Sequence, residues 1–167
     1  MKLGCIFIGL SLLFVGFQPA RRPDFSGTWQ LDLKKSSNLP ESFKHVESYA
    51  MEVRLTKDSM ILMVRLTGNG QDVKFPLTSY ALNGSEGFRE DTLRLSKRCS
   101  KVSQKTTGTK LIIESRVEQG RDTLAQKYTQ HDVWEFTEHD MLQISITQKF
   151  PSGKEPHSER RIFHRVK

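Results

Sequence analysis

From Phe25 onward, apolar and polar residues alternate in short runs cut by turn residues, and this period of two decides what the chain can fold into. Successive side chains of a strand point to opposite faces, so Phe25 to Leu33 puts Trp29, Leu31 and Leu33 on one face. Lys34 to Glu41 reads as a loop, with one helical turn over 40–46. Tyr49–Leu55 and Met60–Leu66 flank a short polar turn and form a hairpin. Val73–Leu82 is a further strand, in which Pro76 marks an edge or a bulge. Asn83-Gly84 is a strong turn pair, and Gly84 to Asp91 reads as a polar loop. Strands follow at Leu93–Gln104, Leu111–Val117, Leu124–Phe136, Leu142–Ile146 and Glu159–Val166. Turns at Thr107-Gly108, Gly120–Asp122, Glu138–Asp140 and Pro151–Lys154 separate them. No ten-residue window keeps a 3.6 period. About nine strands joined by hairpin-length turns predict an all-β fold, a single antiparallel up-and-down barrel of about 8–10 strands. Closing such a meander removes the exposed edges that invite aggregation.

The first twenty residues do not share this pattern. Lys2 precedes an apolar run from Leu3 to Phe17, which has the length and start of a signal peptide and is too short for a good membrane span. We therefore expect residues 1–20 to be an export signal cleaved after Ala20, and 21–167 to be one barrel domain, secreted or periplasmic. An uncleaved leader acting as a membrane anchor is the alternative. Cys5 lies in the leader, which leaves Cys99 as a lone thiol and rules out an internal disulfide in the mature domain.

The chain of 167 residues carries a formal charge of +7. Lys2 is the one charged residue of the leader, so residues 21–167 carry +6. A basic balance favours acidic surfaces without naming one. Lys97-Arg98-Cys99-Ser100-Lys101 and the Arg- and Lys-rich end are basic patches, yet aromatics are not interleaved with them in a stacking pattern, which argues against nucleic acid.

Gly27-Thr28-Trp29 resembles the Gly-x-Trp that opens the first strand of lipocalins and fatty-acid-binding proteins, the calycin group. The resemblance implies that Gly27 allows close backbone approach and that Trp29 plugs one end of the barrel. The last strand, Arg160 to Lys167, is similar to that of fatty-acid-binding proteins, which carries Arg-x-Tyr for a ligand carboxylate. Arg161 matches the arginine, and Phe163 stands where the tyrosine would be. In lipocalins an arginine near the final strand packs over the opening Trp, a role the resemblance gives to Arg161 or Arg165. Asp24 to Asp32, with Lys35, Ser36 and Pro40, is most like exported bacterial lipocalin-like proteins of unassigned function. Two features depart from the group. The loop from Lys34 to Val46 is too short for the helical lid of fatty-acid-binding proteins, and the Thr-Asp-Tyr motif of lipocalins is not visible.

Chemistry is sparse. His131, Glu135 and His139 would share a helix face, but on a strand residues four apart lie about 13 Å apart, too far for one small metal ion. They read as a solvated outer face and turn. There is no Gly-x-Ser-x-Gly, no phosphate-cradling glycine loop and no Cys-x-x-Cys. Gln126, Tyr128, Gln130 and Asp132 alternate in step with Trp134 and Phe136. If that face turns inward, the lumen holds polar groups beside apolar walls, as ligand pockets do. A bulge or a position near the rim would instead leave them outside.

The reading that follows is a monomeric barrel binding a small apolar or amphiphilic ligand, with Arg161, Tyr128, Gln126, Asp132 and Phe163 in contact with it. No metal or cofactor is implied. The alternative is a structural module with a packed core that uses its basic face on an acidic envelope component. A barrel filled by Met51, Met63, Ile113 and Ile144 would favour that second reading. An enzyme on the same scaffold is the third.

Overall fold

The computed structural model describes residues 23–91, 96–104, 110–120, 125–138 and 140–166. The leader at 1–20 and His139 lie outside them. Eleven strands form one antiparallel sheet: β1 Gly27–Leu31, β2 Val46–Leu55, β3 Ser59–Gly68, β4 Gln71–Lys74, β5 Thr78–Ala81, β6 Glu86–Asp91, β7 Ser96–Gln104, β8 Lys110–Gln119, β9 Gln126–Glu138, β10 Met141–Lys149 and β11 His157–Arg165. The order across the sheet is β4-β3-β2-β1-β11-β10-β9-β8-β7-β6. The decisive pairing is β1 with β11, which sets Trp29 opposite Arg165 and Leu31 opposite Phe163. It joins the first strand to the last and rolls the meander into an up-and-down barrel.

β4 and β5 lie on the same edge of β3, β4 against Arg65–Gly68 and β5 against Ser59–Leu62. They are one stave broken at Phe75, Pro76 and Leu77. Phe75 still donates its N–H to the Val64 carbonyl at 2.9 Å. Pro76 has no N–H to continue the ladder. The sheet therefore ends on the β4–β5 stave at one side and on β6 at the other. Among the described residues no backbone ladder joins these two, and Arg89 on β6 crosses the seam to donate to Thr78 Oγ1 on β5.

The strand count exceeds the nine of the alternation for two reasons. Pro76 divides one stave, and Glu86–Asp91 is a strand where a polar loop is expected. That segment has no apolar period because its half-buried positions are Gly87 and Arg89, while Phe88 points outward and is exposed. Its strand character comes from pairing with β7, Phe88 opposite Cys99 and Arg89 opposite Arg98. The helical turn is a short 3-10 helix over Glu41–His45.

The core is the inward set of alternate residues. Phe25, Trp29, Val53, Met60, Leu111, Ile113, Leu142 and Phe163 are its fully buried side chains. Gly68, at the end of β3, sits against the backbone where the 3-10 helix meets β2. A Cβ built there would lie 2.2 Å from the His45 carbonyl oxygen, an obstacle of backbone that cannot rotate away. Gly68→Ala should cost about 1–3 kcal/mol, read from the midpoint of urea unfolding. An unchanged midpoint would show that the helix end gives way freely.

Candidate functional site

One end of the barrel is shut. Trp29 is completely buried, and its Nε1–H donates to the Phe25 carbonyl at 2.9 Å. Phe25 stacks on Phe136 at 4.9 Å between ring centroids and meets Trp134 edge-on at 5.9 Å. The Arg165 guanidinium lies 4.4 Å from the centre of the Trp29 ring and donates to the Ser26 carbonyl at 2.8 Å. Such a cation over an indole face is attracted by the ring quadrupole. Gly27 makes room for it: a Cβ there would lie 2.9 Å from an Arg165 nitrogen, and the backbone φ of +133° suits glycine. Of the two arginines weighed for this place, Arg165 takes it and Arg161 does not.

Away from this plug the inward face turns polar and leaves a cavity of about 330 Å³. Met51, Leu62, Val64, Trp134, Ile144, Ile146 and Phe163 supply its apolar walls. Arg89, Arg98, Arg161, Asp132, Glu159, Gln130, Gln148, Tyr80 and Tyr128 supply its polar groups. Two hydrogen-bonded groups stand out among them. Gln130 donates to both Asp132 oxygens, at 2.9 and 3.1 Å. Its own carbonyl oxygen accepts from Gln148 at 3.2 Å and from Arg98 at 3.3 Å. Arg161 donates to Glu159 at 2.7 Å and stacks over Phe43 at 5.0 Å and Tyr49 at 5.9 Å. Phe43 comes from the 3-10 helix, so this helix packs at the mouth. A wider vestibule of about 790 Å³, lined by Pro40, Phe43, Phe75, Pro76 and Gln119, shares Tyr49, Arg89 and Arg161 with the lumen.

Burial dominates the electrostatics. Asp132 is 6% exposed, and desolvation pushes its pKa up to about 6 against the pull of Gln130, Arg98 and Arg161. Burial likewise pushes the Tyr80 hydroxyl upward. Burial works against the charge on Arg98, yet Tyr80 and Asp132 outweigh it and hold that guanidinium firmly protonated.

No protein-family model matches the chain, and no curated protein matches its sequence. The fold does have a solved counterpart. A structure described as "REP1-NXSQ fatty acid transporter" superimposes with a TM-score of 0.54, covering 85% of this chain and 96% of its own, at 14% identity. At that identity the likeness speaks for the barrel architecture alone.

The sequence-derived residues separate as follows. Arg161, Tyr128, Asp132 and Phe163 line the lumen together, from β9 and β11. Gln126 does not: it is exposed at the start of β9, opposite Gln119, because the first residues of that strand run past the enclosed part of the barrel. Met51, Ile113 and Ile144 are buried, whereas Met63 alternates onto the outer face and is only half-buried. They do not fill the lumen. The patch at Lys97–Lys101 splits by the same alternation, with Arg98 lining the lumen and Lys97 and Lys101 exposed. His131 is exposed on the outer face of β9 and Glu135 is half-buried there. No group of three His, Cys, Asp or Glu is placed to hold a metal among the described residues. Cys99 is half-buried on the outside of β7, with Sγ 3.4 Å from Glu86. Arg89, Arg98, Tyr80 and Glu159 are lumen residues that sequence reasoning missed. Glu159 had a signal, since it lies two residues before Arg161 on one strand.

Proposed function

We propose that the protein binds a small amphiphilic ligand in the lumen, apolar chain against the hydrophobic walls and acidic head toward Arg161 and Arg98. The observation that carries this reading is the cavity itself, about 330 Å³ of unfilled space with apolar walls and a cluster of buried charge. That size lies at the lower end of the range of small-molecule pockets. A core built only for stability would be close-packed, with few voids larger than a water molecule. The solved fatty acid transporter with this fold adds support for the ligand class. With residues 1–20 read as an export signal, the ligand is met outside the cytoplasm.

The alternative of a basic face docking on an acidic surface has less behind it. Several outward cations face a carboxylate and so are partly neutralised, as in Arg65 with Asp72, Arg116 with Glu86 and Arg54 with Glu52.

The test is displacement of a fluorescent fatty acid analogue, with native mass spectrometry of the purified protein for a retained lipid. Arg161→Gln removes the cation while keeping a donor. It should weaken binding by about 10–100-fold, the worth of one charge-assisted hydrogen bond. Circular dichroism would check that the variant is folded. Equal affinity of the folded variant, or no uptake of any analogue by the wild-type protein, would sink the proposal.

A further inference from the structure

The vestibule, at about 790 Å³, is larger than the lumen, and its walls differ in chemistry. Phe43, Val46, Leu66, Phe75 and Pro76 line the vestibule and not the lumen. Among the described residues its charged members are Arg89 and Arg161, and both also line the lumen. Arg98, Asp132 and Glu159 line the lumen alone. Charge is thus gathered in the inner compartment and at the junction, while the outer compartment is walled mainly by carbon.

These walls still have apolar surface to cover. Phe43, Tyr49 and Val64 pack against the core yet stay half-buried, and so do Leu66 and Phe75. They form one continuous surface. The Phe43 and Tyr49 rings lie 5.8 Å apart, Tyr49 is opposite Leu66 in the β2–β3 register, and Phe75 bonds to the backbone of Val64. A contiguous, incompletely covered apolar surface of this kind marks a binding groove.

The lumen says what fills it. Its volume is small for a ligand pocket, its far end is sealed by Trp29, and charged groups occupy part of its wall. An acid whose head reaches Arg161 and Arg98 has one way out for a long chain, past Arg161 into the vestibule.

We propose that the vestibule is the subsite for the distal part of the ligand's chain, so that the protein selects long-chain over short- and medium-chain acids. This rests on the lumen being a ligand site and adds a second compartment to it. The acid head and the first methylenes occupy the lumen. The rest of the chain lies against Phe43, Leu66 and Phe75.

The experiment is displacement of a fluorescent fatty acid analogue from delipidated protein by octanoate, dodecanoate and hexadecanoate, each kept below its micelle concentration. The wild-type protein should bind hexadecanoate at least about tenfold more tightly than dodecanoate, against about 200-fold were all four extra methylenes fully buried. Phe75→Ser strips one wall of the vestibule, and Ser42→Trp fills its space from an exposed position on the 3-10 helix. Each should weaken hexadecanoate by about 3–10-fold and change octanoate by less than about twofold. Affinity that levels off at dodecanoate overturns the inference and leaves the lumen as a ligand site. So does a chain-length dependence that both variants keep, or a loss equal for all three acids. Binding of none of the acids overturns the ligand reading as well. Ser42→Trp decides the matter if Phe75→Ser fails to fold.

Discussion

Trp29→Ala should destabilise the protein by about 3–5 kcal/mol, the range for deleting a large buried aromatic. The upper end is expected here, because three contacts go with the ring. Phe136 loses a neighbour at 5.9 Å, the Phe25 carbonyl loses its indole donor, and Arg165 loses the face it lies on. The cavity left behind sits where β1 closes on β11, so relaxation would have to loosen the closure itself. Arg165→Ala should cost less, about 1–2 kcal/mol, since it removes the cation and its bond to Ser26 but leaves the ring in place. Urea unfolding followed by tryptophan fluorescence and by circular dichroism measures both. A Trp29→Ala loss under about 2 kcal/mol would mean that the neighbouring rings collapse into the gap.

Stability should fall as pH rises from about 4 to about 7, and Asp132 should be the main cause. Its carboxyl ionises near 3.8 in the unfolded chain and near 6 in the folded one. Below the lower value both states hold the proton and the group is neutral to folding. Between the two, the unfolded state gives up its proton while the folded state keeps it, so each step in pH weakens the fold. Above the upper value the buried charge costs about 3 kcal/mol. Asp132→Asn removes the titration. The amide oxygen still accepts from Gln130, and losing the second contact costs about 1 kcal/mol. The variant should therefore match or trail the wild-type protein at pH 4 and exceed it by about 2 kcal/mol at pH 7.5. Other groups titrate in the same range, so the quantity to follow is the difference between variant and parent. A difference that does not change with pH would show that Asp132 is already comfortable as a carboxylate.

Period-two alternation made most of the staves legible, because inward residues such as Trp29, Leu31, Ile144 and Ile146 sit two apart with polar residues between. It failed where the inward residues are themselves polar. β6 has Gly87 and Arg89 on its inner side, and β7 has Arg98 and Ser100, so neither shows an apolar stripe and the face of β7 could not be assigned. Two charged groups of the candidate site, Arg89 and Arg98, lie on those same strands. A lumen that holds charge erases the pattern by which lumen residues are found. Gln126 failed in the opposite direction, since alternation tells which side a residue faces and not how far along the stave the enclosure extends. The Trp29–Arg165 pairing rested on family resemblance. Spacing alone could not bring together residues at the two ends of the chain.

The unlaced seam between β5 and β6 gives the wall a preferred line of yielding. Everywhere else, widening the barrel means snapping rungs of a backbone ladder. Along this line it means sliding side chains such as Arg89 past Thr78, and Phe75 and Pro76 flank the same opening into the vestibule. A guest too bulky for the resting interior is accommodated most cheaply by spreading this slit, while the closure sealed by Trp29 stays rigid. Compliance and stiffness thus occupy opposite sides of one small tube.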